Sequence, residues 1–310
     1  MVTTRRAVID VGTNSIKLLV ADVSGRHVEP VREESRQTRL GKGFYETHRL
    51  QPESIQRTAE AVAEFERLAR ELNSVSTRVI ATSAARDAVN PTELTLAIER
   101  ASGLKTEIIS GGREADWAFL GVTTDAELAA NPLLLLDVGG GSTEFILGHG
   151  AKKHFAHSFP LGTVRLMEQF PHGDPPTRGE FTACRDWLKD FLRGEVRPQL
   201  GPCLEKESGE IQLIGTGGTT SILARIDLKL ERFDRDQIEG ARLSLAQVKA
   251  QRKHLWSLPL AERKEIPGLP KLRADVILTG VIIYEAVMEE FGFAQLRVST
   301  RGLRFAAVMD

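Results

Sequence analysis

Apolar runs separated by short polar or glycine-rich segments recur along the chain, and their spacing predicts a mixture of strands and helices. The stretch from Ala7 to Ala21 reads AVIDVGTNSIKLLVA, in which two apolar runs flank a turn of small residues. The stretch from Leu134 to Gly148, LLLDVGGGSTEFILG, repeats this arrangement. Short apolar runs bounded by turn residues are typical of buried strands, so each stretch predicts a β-hairpin.

The two hairpin segments share polar residues as well as apolar ones. Aspartate, glycine and serine recur at matching positions: Asp10 with Asp137, Gly12 with Gly139, and Ser15 with Ser142. Glycine lets backbone N–H groups approach a phosphate closely, and a hydroxyl adds a donor. An aspartate at the strand end would repel a bare phosphate but suits a divalent cation placed between them. An ordinary hairpin explains either turn alone, whereas the duplication favours two halves that face one anionic ligand across a cleft.

A third glycine-rich turn, IGTGGTT, occupies residues 214–220. It follows an apolar strand pattern at Ile211–Ile214 and leads into a predicted helix that begins near Thr219. The unpaired N–H groups at the start of a helix attract anions. Three such turns in one chain therefore predict a phosphate-binding site.

The remaining pattern predicts strands and helices in alternation, which is typical of an α/β fold. Helical spacing is clearest after Pro52, where Ile55, Val62 and Phe65 share one apolar face. Predicted strands cover residues 27–34, 79–81, 108–109, 153–159, 211–214 and 295–298, and predicted helices cover residues 52–72, 91–102, 112–120, 178–193, 219–226 and 273–289. Residues 234–261 are charged and helical in pattern, and we expect them to contain a mobile or peripheral element.

Length and composition limit the class of protein. A chain of 310 residues can form two domains, each with its own core. The formal net charge of -1 provides no global basic field, so nucleic acid is not an expected partner. No apolar stretch is long enough to span a bilayer, and Met1–Arg6 leads directly into the first strand, without room for a signal peptide. With only two cysteines, Cys184 and Cys203, these features predict a cytoplasmic protein without membrane contact.

The order of the three turns resembles that of the actin/Hsp70/sugar-kinase superfamily, in which they form two phosphate segments and an adenosine segment. Further segments, in the family's order, are similar to the exopolyphosphatase/guanosine pentaphosphate phosphohydrolase family. They are Val79–Asn90, Ile108–Ala115, Leu136–Glu144, Pro160–Leu166, Arg273–Asp275 and Val298–Arg304. The resemblance covers nearly the whole chain, as a short form that lacks the helical C-terminal domains of longer members.

This resemblance implies an α/β fold of two actin-like (ribonuclease H-like) domains with an interdomain cleft. The N-terminal domain would comprise residues 1–122 and a returning segment, residues 293–310, so that the final strand and the terminal helix pack on the first half. The second domain would comprise residues 123–292. The resemblance also implies a homodimer.

The three turns contain the predicted phosphate-binding residues. These are Gly12, Thr13, Asn14 and Ser15 in the first turn, Gly139, Gly140, Gly141 and Ser142 in the second, and Gly217, Gly218 and Thr219 in the third. Asp10, Asp137 and Glu144 are predicted to hold Mg²⁺, in part through water, because Mg²⁺ prefers oxygen ligands and dehydrates reluctantly. Glu144 lies two residues beyond Ser142, and the alternation of a strand turns both side chains to one face.

The predicted catalytic residues are Glu114, Arg86, Asp137 and Glu144. By resemblance, Glu114 orients and deprotonates the attacking water, and Arg86 faces the substrate. The alternative role of Glu114 is an interaction with the helix dipole in a first turn, and that of Arg86 is a surface charge. Further candidates are Lys17, Arg165, Arg273 and Asp275, each equally able to form an interdomain salt bridge, and Arg32, Arg36, Arg39 and Lys42, for which a solvated face is the favoured interpretation.

Together these features predict a Mg²⁺-dependent exopolyphosphatase that releases terminal orthophosphate from inorganic polyphosphate. Three alternatives stay open: a guanosine pentaphosphate 5′-phosphohydrolase of the stringent response, an actin-like or sugar-kinase-like ATPase, and a weakly active sensor of guanosine tetraphosphate or polyphosphate. The motifs at Ala81–Arg86 and Ser110–Ala115 argue against the ATPase, and the retained acidic residues argue against the sensor. One departure from the family pattern is Arg113, which stands where an acidic residue commonly precedes the catalytic glutamate.

Overall fold

The first apolar segment forms the predicted hairpin, in which β1 (Thr4–Val11) and β2 (Ile16–Ser24) pair antiparallel across the first glycine turn. The structure is a computed structural model and describes residues 2–310. β3 (His27–Arg36) pairs antiparallel with β2, while β4 (Ser76–Ala81) and β5 (Thr106–Ile108) continue the sheet as parallel strands on the other side of β1. The strand order is β3-β2-β1-β4-β5.

Apolar side chains on both faces of this sheet are buried, and helices supply much of their cover. The helices before residue 125 are α1 (Phe44–Thr47), α2 (Pro52–Glu71), α3 (Ser83–Asp87), α4 (Pro91–Ser102) and α5 (Gly111–Val122). α2 has the amphipathic face expected from its sequence, with Ile55, Val62 and Phe65 buried and Pro52 in its first turn. The pattern therefore predicted both the position and the buried face of this helix.

The second glycine turn also joins two antiparallel strands, and these lie within a larger sheet of order β10-β11-β9-β6-β7-β8. The strands are β6 (Leu133–Val138), β7 (Thr143–His149), β8 (Lys152–Phe159), β9 (Gln212–Thr216), β10 (Arg242–Ser244) and β11 (Gln295–Val298). β6 is central because it pairs antiparallel with β7 and parallel with β9. Its apolar residues are accordingly buried on both faces of the sheet.

Helices pack around this second sheet. They are α6 (Ala126–Ala129), α7 (Thr163–Gln169), α8 (Arg178–Phe191), α9 (Arg197–Leu204), α10 (Gly217–Leu228), α11 (Arg235–Ile238), α12 (Leu245–Ser257), α13 (Leu260–Arg263) and α14 (Ile277–Phe291). A π-helical segment, Leu192–Val196, joins α8 to α9, and a 3-10 turn, Lys271–Arg273, precedes α14. Every residue of α14 from Ile277 to Met288 is buried, so this helix forms the centre of the core.

The charged segment at residues 234–261 differs from expectation. Instead of a mobile or peripheral element, it forms the edge strand β10 and helix α12, which packs on α14. Leu243, Val248 and Leu255 are buried there, and the Trp256 indole donates a hydrogen bond to the carbonyl of Leu278 at 3.1 Å. The burial of these spaced apolar side chains fixes the segment against the core, although charged residues lie between them.

The chain divides into two compact units, one containing Met1–Thr124 and Arg301–Asp310 and the other containing Asp125–Thr300. The expectation that the final strand packs on the first half is wrong, because β11 pairs in parallel with β9 and buries Leu296 and Val298 in the second sheet. The terminal helix, α15 (Leu303–Met309), packs in the first unit as expected. Across residues 2–310, no helix combines the length and apolar character needed to cross a membrane.

Candidate active site

Backbone hydrogen bonds to the carbonyl oxygens of the first turn hold that turn in its conformation. The N–H of Gly12 donates to the Ser15 carbonyl at 3.1 Å, and the N–H of Arg39 donates to the Asn14 carbonyl at 3.0 Å. The N–H of Gly41 donates to the Thr13 carbonyl at 2.7 Å, and a Cβ at Gly41 would overlap the Thr13 side chain. Because these bonds engage the negative ends of the peptide dipoles, the turn is suited to present positive N–H groups to an anion.

The second turn is supported from behind by the start of α7. Gly139 donates to the Ser142 carbonyl at 2.9 Å, which repeats the bond that closes the first turn. The N–H groups of Thr163 and Val164 donate to the carbonyls of Gly139 and Gly140 at 3.0 and 2.8 Å. The carbonyls of all three glycines thus accept hydrogen bonds, because that of Gly141 accepts one from the Arg165 side chain. The same reasoning about peptide dipoles therefore applies to this turn.

The side chain of Arg165 contacts the backbone of the second turn, so its role is more than that of a salt-bridge candidate. Its Nε donates to the carbonyl of Gly141 at 2.9 Å. Gly162, three residues before Arg165, has no room for a side chain, because a Cβ there would overlap the carbonyl of Gly140. The structure thus gives the motif Pro160–Leu166 a physical role, which is to hold the second turn against α7.

Asp137 and Glu144 lie directly opposite each other where β6 and β7 pair. Side chains at such positions share one face, with Cβ atoms roughly 4.5–5.5 Å apart. Glu144 is 1% exposed, and its Oε1 accepts a hydrogen bond from the Ser158 hydroxyl at 2.6 Å. The third turn also closes on Asp137, because a Cβ at Gly217 would overlap Oδ1 of Asp137. Two carboxylates therefore converge beside the second and third turns.

This carboxylate pair fits a hard divalent cation. Mg²⁺ prefers oxygen ligands and retains several waters, so that it needs only one or two protein carboxylates together with phosphate oxygens. Within residues 2–310, no group of three or more histidine, cysteine, aspartate or glutamate side chains converges in a metal-binding arrangement. That Asp137 and Glu144 hold Mg²⁺ stays a prediction, with which their carboxylate oxygens are compatible.

In the first unit, Asp10 faces a lysine, whereas Asp137 faces a second carboxylate. Asp10 lies opposite Lys17 where β1 and β2 pair, and its Oδ1 is buried without a hydrogen-bond partner. Burial raises the pKa of Asp10, and the positive charges of Lys17 and Arg304 act in the opposite direction. An unpaired buried oxygen suits a cation or a hydrogen-bond donor, so Asp10 fits its predicted role. That Asp10 shares one ion with the other two carboxylates stays a prediction.

The third turn forms the start of α10, whose residues Gly217 and Gly218 occupy its first positions. Arg273 lies beside it, since a Cβ at Gly218 would be 3.4 Å from Nη1 of Arg273. Arg273 is 8% exposed, and burial lowers its pKa to about 10 against the opposing charge of Asp275. A guanidinium beside a helix N-terminus concentrates positive charge, which favours binding of an anion there.

Glu114 and Arg86 come together in the first unit. Glu114 lies in the first turn of α5, which Ser110 caps by accepting a hydrogen bond from the N–H of Arg113 at 3.2 Å. Nη1 of Arg86 donates to Oε2 of Glu114 at 2.9 Å and to the carbonyl of Ile109 at 3.2 Å. Glu114 is 8% exposed, so this carboxylate is held in a defined position by a buried ion pair. A contact of Arg86 with phosphate stays a prediction.

Two of the basic residues that were candidates for binding phosphate form ion pairs with glutamates on the surface instead. Nε of Arg32 donates to Glu34 at 2.7 Å, and Arg36 forms a two-pronged pair with Glu64. These contacts agree with the alternative of a solvated face. Lys42 is exposed.

Two residues beside the site were missed in the sequence. Ser158 lies opposite Glu144 where β7 and β8 pair, and strand alternation was the signal that could have indicated it. Arg304 donates to the Leu18 carbonyl at 2.9 Å and lies 3.1 Å from the carboxylate of Glu33. No local pattern links Arg304 to Asp10, because the two residues lie near opposite ends of the chain.

Comparison with known proteins identifies the family. The profile of the Ppx/GppA phosphatase family matches residues 19–309. Exopolyphosphatase 2 from Mycobacterium tuberculosis is 34% identical over 314 aligned positions, which cover 96% of each chain. This relative is similar over nearly its whole length, so the match is not confined to one motif.

Solved structures give the same result. The Aquifex aeolicus member of the Ppx/GppA family has a TM-score of 0.80 and 30% identity, with 99% of this chain and 97% of that chain covered. An exopolyphosphatase from Cytophaga hutchinsonii has a TM-score of 0.87 and 28% identity, with 98% and 96% covered. The predicted α/β fold of two actin-like units is thereby confirmed. The chain belongs to the Ppx/GppA phosphatase family.

Proposed function

We propose that this protein is a Mg²⁺-dependent exopolyphosphatase that releases orthophosphate from the end of inorganic polyphosphate. The pairing of Asp137 with Glu144 beside the second turn carries the proposal, because it sets two hard oxygen ligands next to a phosphate cradle. Relatives named exopolyphosphatase support polyphosphate as the substrate, ahead of guanosine pentaphosphate.

Substrate binding in this proposal uses the backbone of the three turns. Carbonyl oxygens in each turn accept hydrogen bonds from the protein, including that of Gly217 from the Ser221 hydroxyl at 2.8 Å, which leaves positive peptide groups to bind the oxygens of the polyphosphate. Arg273 adds a buried guanidinium beside Gly218, suited to bind phosphate oxygens through more than one nitrogen. When bound at Asp137 and Glu144, Mg²⁺ would neutralise charge that develops on the phosphate oxygens.

Glu114 would act on the attacking water. Its carboxylate accepts a proton as the water oxygen bonds to the terminal phosphorus. The bond between that phosphorus and the bridging oxygen breaks, and the bridging oxygen keeps the electron pair as the end of a chain shortened by one phosphate. Arg86 fixes the Glu114 carboxylate during this step through its 2.9 Å contact.

A panel of substrates tests the proposed reaction. Phosphate release is measured from short polyphosphate, long polyphosphate, guanosine pentaphosphate and ATP, each with MgCl₂ and with EDTA. We expect the highest kcat/KM on polyphosphate and loss of turnover in EDTA. Faster release from guanosine pentaphosphate or ATP, or full activity in EDTA, would contradict the proposal.

Glu114→Gln is expected to retain the fold and lower kcat, since general-base catalysis contributes typically ~10²–10⁴-fold. Glu107→Gln is the matched control, because Glu107 lies just before α5 and pairs with Arg113 rather than with Arg86. Both variants are compared with the parent protein by steady-state kinetics and circular dichroism. A Glu114→Gln protein with near-parental kcat would remove Glu114 from the mechanism.

A further inference from the structure

The centre of α14 carries a buried hydroxyl that the reaction described above does not use. Tyr284 is fully buried, and it is one of only two tyrosines in the chain. Its hydroxyl is hydrogen-bonded to the hydroxyl of Thr220 in α10. A polar group this deep in an apolar core needs partners, and the identity of those partners indicates what the group holds in place.

The Tyr284 hydroxyl lies within a short chain of hydrogen bonds. The Thr220 hydroxyl donates to the carbonyl of Thr216 at 2.9 Å, and either hydroxyl can be the donor in the bond between Thr220 and Tyr284. The Tyr284 hydroxyl also donates to the carbonyl of Thr216 at 3.5 Å. Burial raises the pKa of Tyr284, which keeps the hydroxyl protonated and able to donate.

This chain of hydrogen bonds anchors the start of the third turn. Thr216 lies at the end of β9, directly before Gly217 of the third turn, and is paired with Asp137 in the parallel register. The third turn closes on Asp137, because a Cβ at Gly217 would overlap its Oδ1. The Thr219 hydroxyl donates to the carbonyl of Val138 at 3.5 Å, which links the third turn to the end of β6.

The packing of α14 supports the same arrangement. Gly280 allows this helix to approach the third turn, because a Cβ there would overlap the methyl group of Thr219. The Thr279 hydroxyl donates to the carbonyl of Thr163 at 2.8 Å, and Thr163 in turn donates to Gly139. One helix thus supports the third turn through Tyr284 and Gly280 and the second turn through Thr279.

We propose that Tyr284 is a positioning residue, whose hydroxyl holds the start of the third turn against Asp137 and thereby fixes the orientation of Asp137 toward Mg²⁺. This inference rests on the proposed function. It differs from a general contribution to core stability, because it requires the hydroxyl to affect the response to Mg²⁺ more than it affects the fold.

Removal of the hydroxyl by Tyr284→Phe tests the inference, with Tyr45→Phe as the matched control at the other tyrosine, which packs against Phe44 in the first unit. We expect Tyr284→Phe to raise the MgCl₂ concentration for half-maximal polyphosphate hydrolysis by roughly 10-fold, the lower end of what loss of an outer support to a metal ligand costs. KM for polyphosphate should change less, and Tyr45→Phe should leave both quantities unchanged.

Two measurements without turnover accompany the kinetics. Calorimetric titration with MgCl₂ alone should show weaker binding to Tyr284→Phe than to the parent protein. Hydrogen–deuterium exchange should be faster in a peptide that covers residues 216–221, because the start of α10 loses its hydrogen bonds to the Tyr284 hydroxyl. In Tyr45→Phe, exchange of this peptide should match that of the parent protein.

A second pair of variants covers the case in which Tyr284→Phe fails to fold. Thr220→Val breaks the hydrogen-bond chain with little change in shape and should weaken the Mg²⁺ response, whereas Thr220→Ser keeps a hydroxyl and should preserve it. Combined with Tyr284→Phe, Thr220→Val should cost little more than either change alone, since both remove one connection.

The outcomes separate the two proposals. If the parent protein does not hydrolyse polyphosphate, the proposed function fails. If the parent protein is active but Tyr284→Phe and Thr220→Val keep the parental Mg²⁺ half-saturation and parental exchange at residues 216–221, the inference about Tyr284 is overturned. A lower melting temperature with unchanged Mg²⁺ half-saturation would also overturn it, because it would assign the hydroxyl to stability alone.

Discussion

The two glycine hairpins share a backbone but differ in the residue that faces the aspartate. Gly12 and Gly139 close their turns through the same bond, to the carbonyls of Ser15 and Ser142. Across the strand pair, however, Asp10 faces Lys17, whereas Asp137 faces Glu144. The shared backbone provides the anion cradle in both hairpins, and the facing residue sets the local charge. The second hairpin therefore offers two facing carboxylates to a cation, whereas the first offers one.

The environments of the two aspartates reinforce this difference. The negative charge of Asp10 is balanced by the positive charges of Lys17 and Arg304, both of which oppose the effect of burial on its pKa. Asp137 faces another carboxylate, and like charges at such positions repel each other unless a cation lies between them. A duplicated motif can thus be divided into two roles by a single cross-strand substitution.

The sharpest test of this comparison replaces each aspartate by its amide. Asp137→Asn should raise the Mg²⁺ half-saturation of hydrolysis by roughly 10–100-fold, because it removes a ligand charge from the acidic pair. Asp10→Asn should raise it by a smaller factor, since neighbouring cations already balance Asp10. Metal titrations of both variants at saturating polyphosphate make the comparison. Equal shifts would show that the two hairpins contribute alike to metal binding.

The facing residues give a second test with a smaller effect. Glu144→Gln should raise the Mg²⁺ half-saturation about 10-fold, because one carboxylate remains in the pair. Lys17→Gln occupies the equivalent position in the first hairpin and is expected to raise KM for polyphosphate by about threefold, the scale of one partly solvated charge contact. Its Mg²⁺ half-saturation should not move. A change of the same parameter in both variants would argue against a division of roles.

The smallest expected effect is a change in how the free energy of unfolding depends on pH. Burial raises the pKa of Asp10 above its ordinary value of 3.8, so the fold favours the protonated form. Its contribution to stability is fully present below that ordinary value and is lost as pH rises through the pKa of the folded state. Relative to Asp10→Asn, the parent protein should therefore lose free energy of unfolding as pH rises, measured by urea titration in EDTA.

Asp22 on the same hairpin provides a control of opposite sign. A hydrogen bond from Arg5 lowers the pKa of Asp22, so its contribution is present above the ordinary value and is lost as pH falls. Asp22→Asn should thus lose stability relative to the parent protein as pH rises from acid to neutral. If Asp10→Asn and Asp22→Asn change the pH slope in the same direction, burial does not control Asp10.

Local pattern predicted the hairpins, the glycine turns and α2 because each of these depends on residues close together in sequence. It failed for β11 because a short apolar strand can join either sheet, and its partner β9 is distant in sequence. It also missed the packing of α12, whose charged residues mask the burial of Leu255 and Trp256.

The site shows the same limit. The resemblance identified Glu114 and Arg86 separately, but the 2.9 Å contact that joins them depends on how α3 and α5 pack. Tyr284 carries no local sign of its connection to Thr216 and Thr220, because both the apolar pattern around it and the glycine turn at residues 214–220 are complete without it.

The return of α15 to the first unit has a consequence for synthesis of the chain. Leu303, Phe305 and Val308 share a buried cluster with Val8 and Leu19, so one face of the first sheet stays uncovered until residues 301–310 have left the ribosome. The whole second unit is translated in the meantime and has a continuous sequence with which to fold. The unit that is made first is therefore completed last, and its apolar face needs protection from other chains until then.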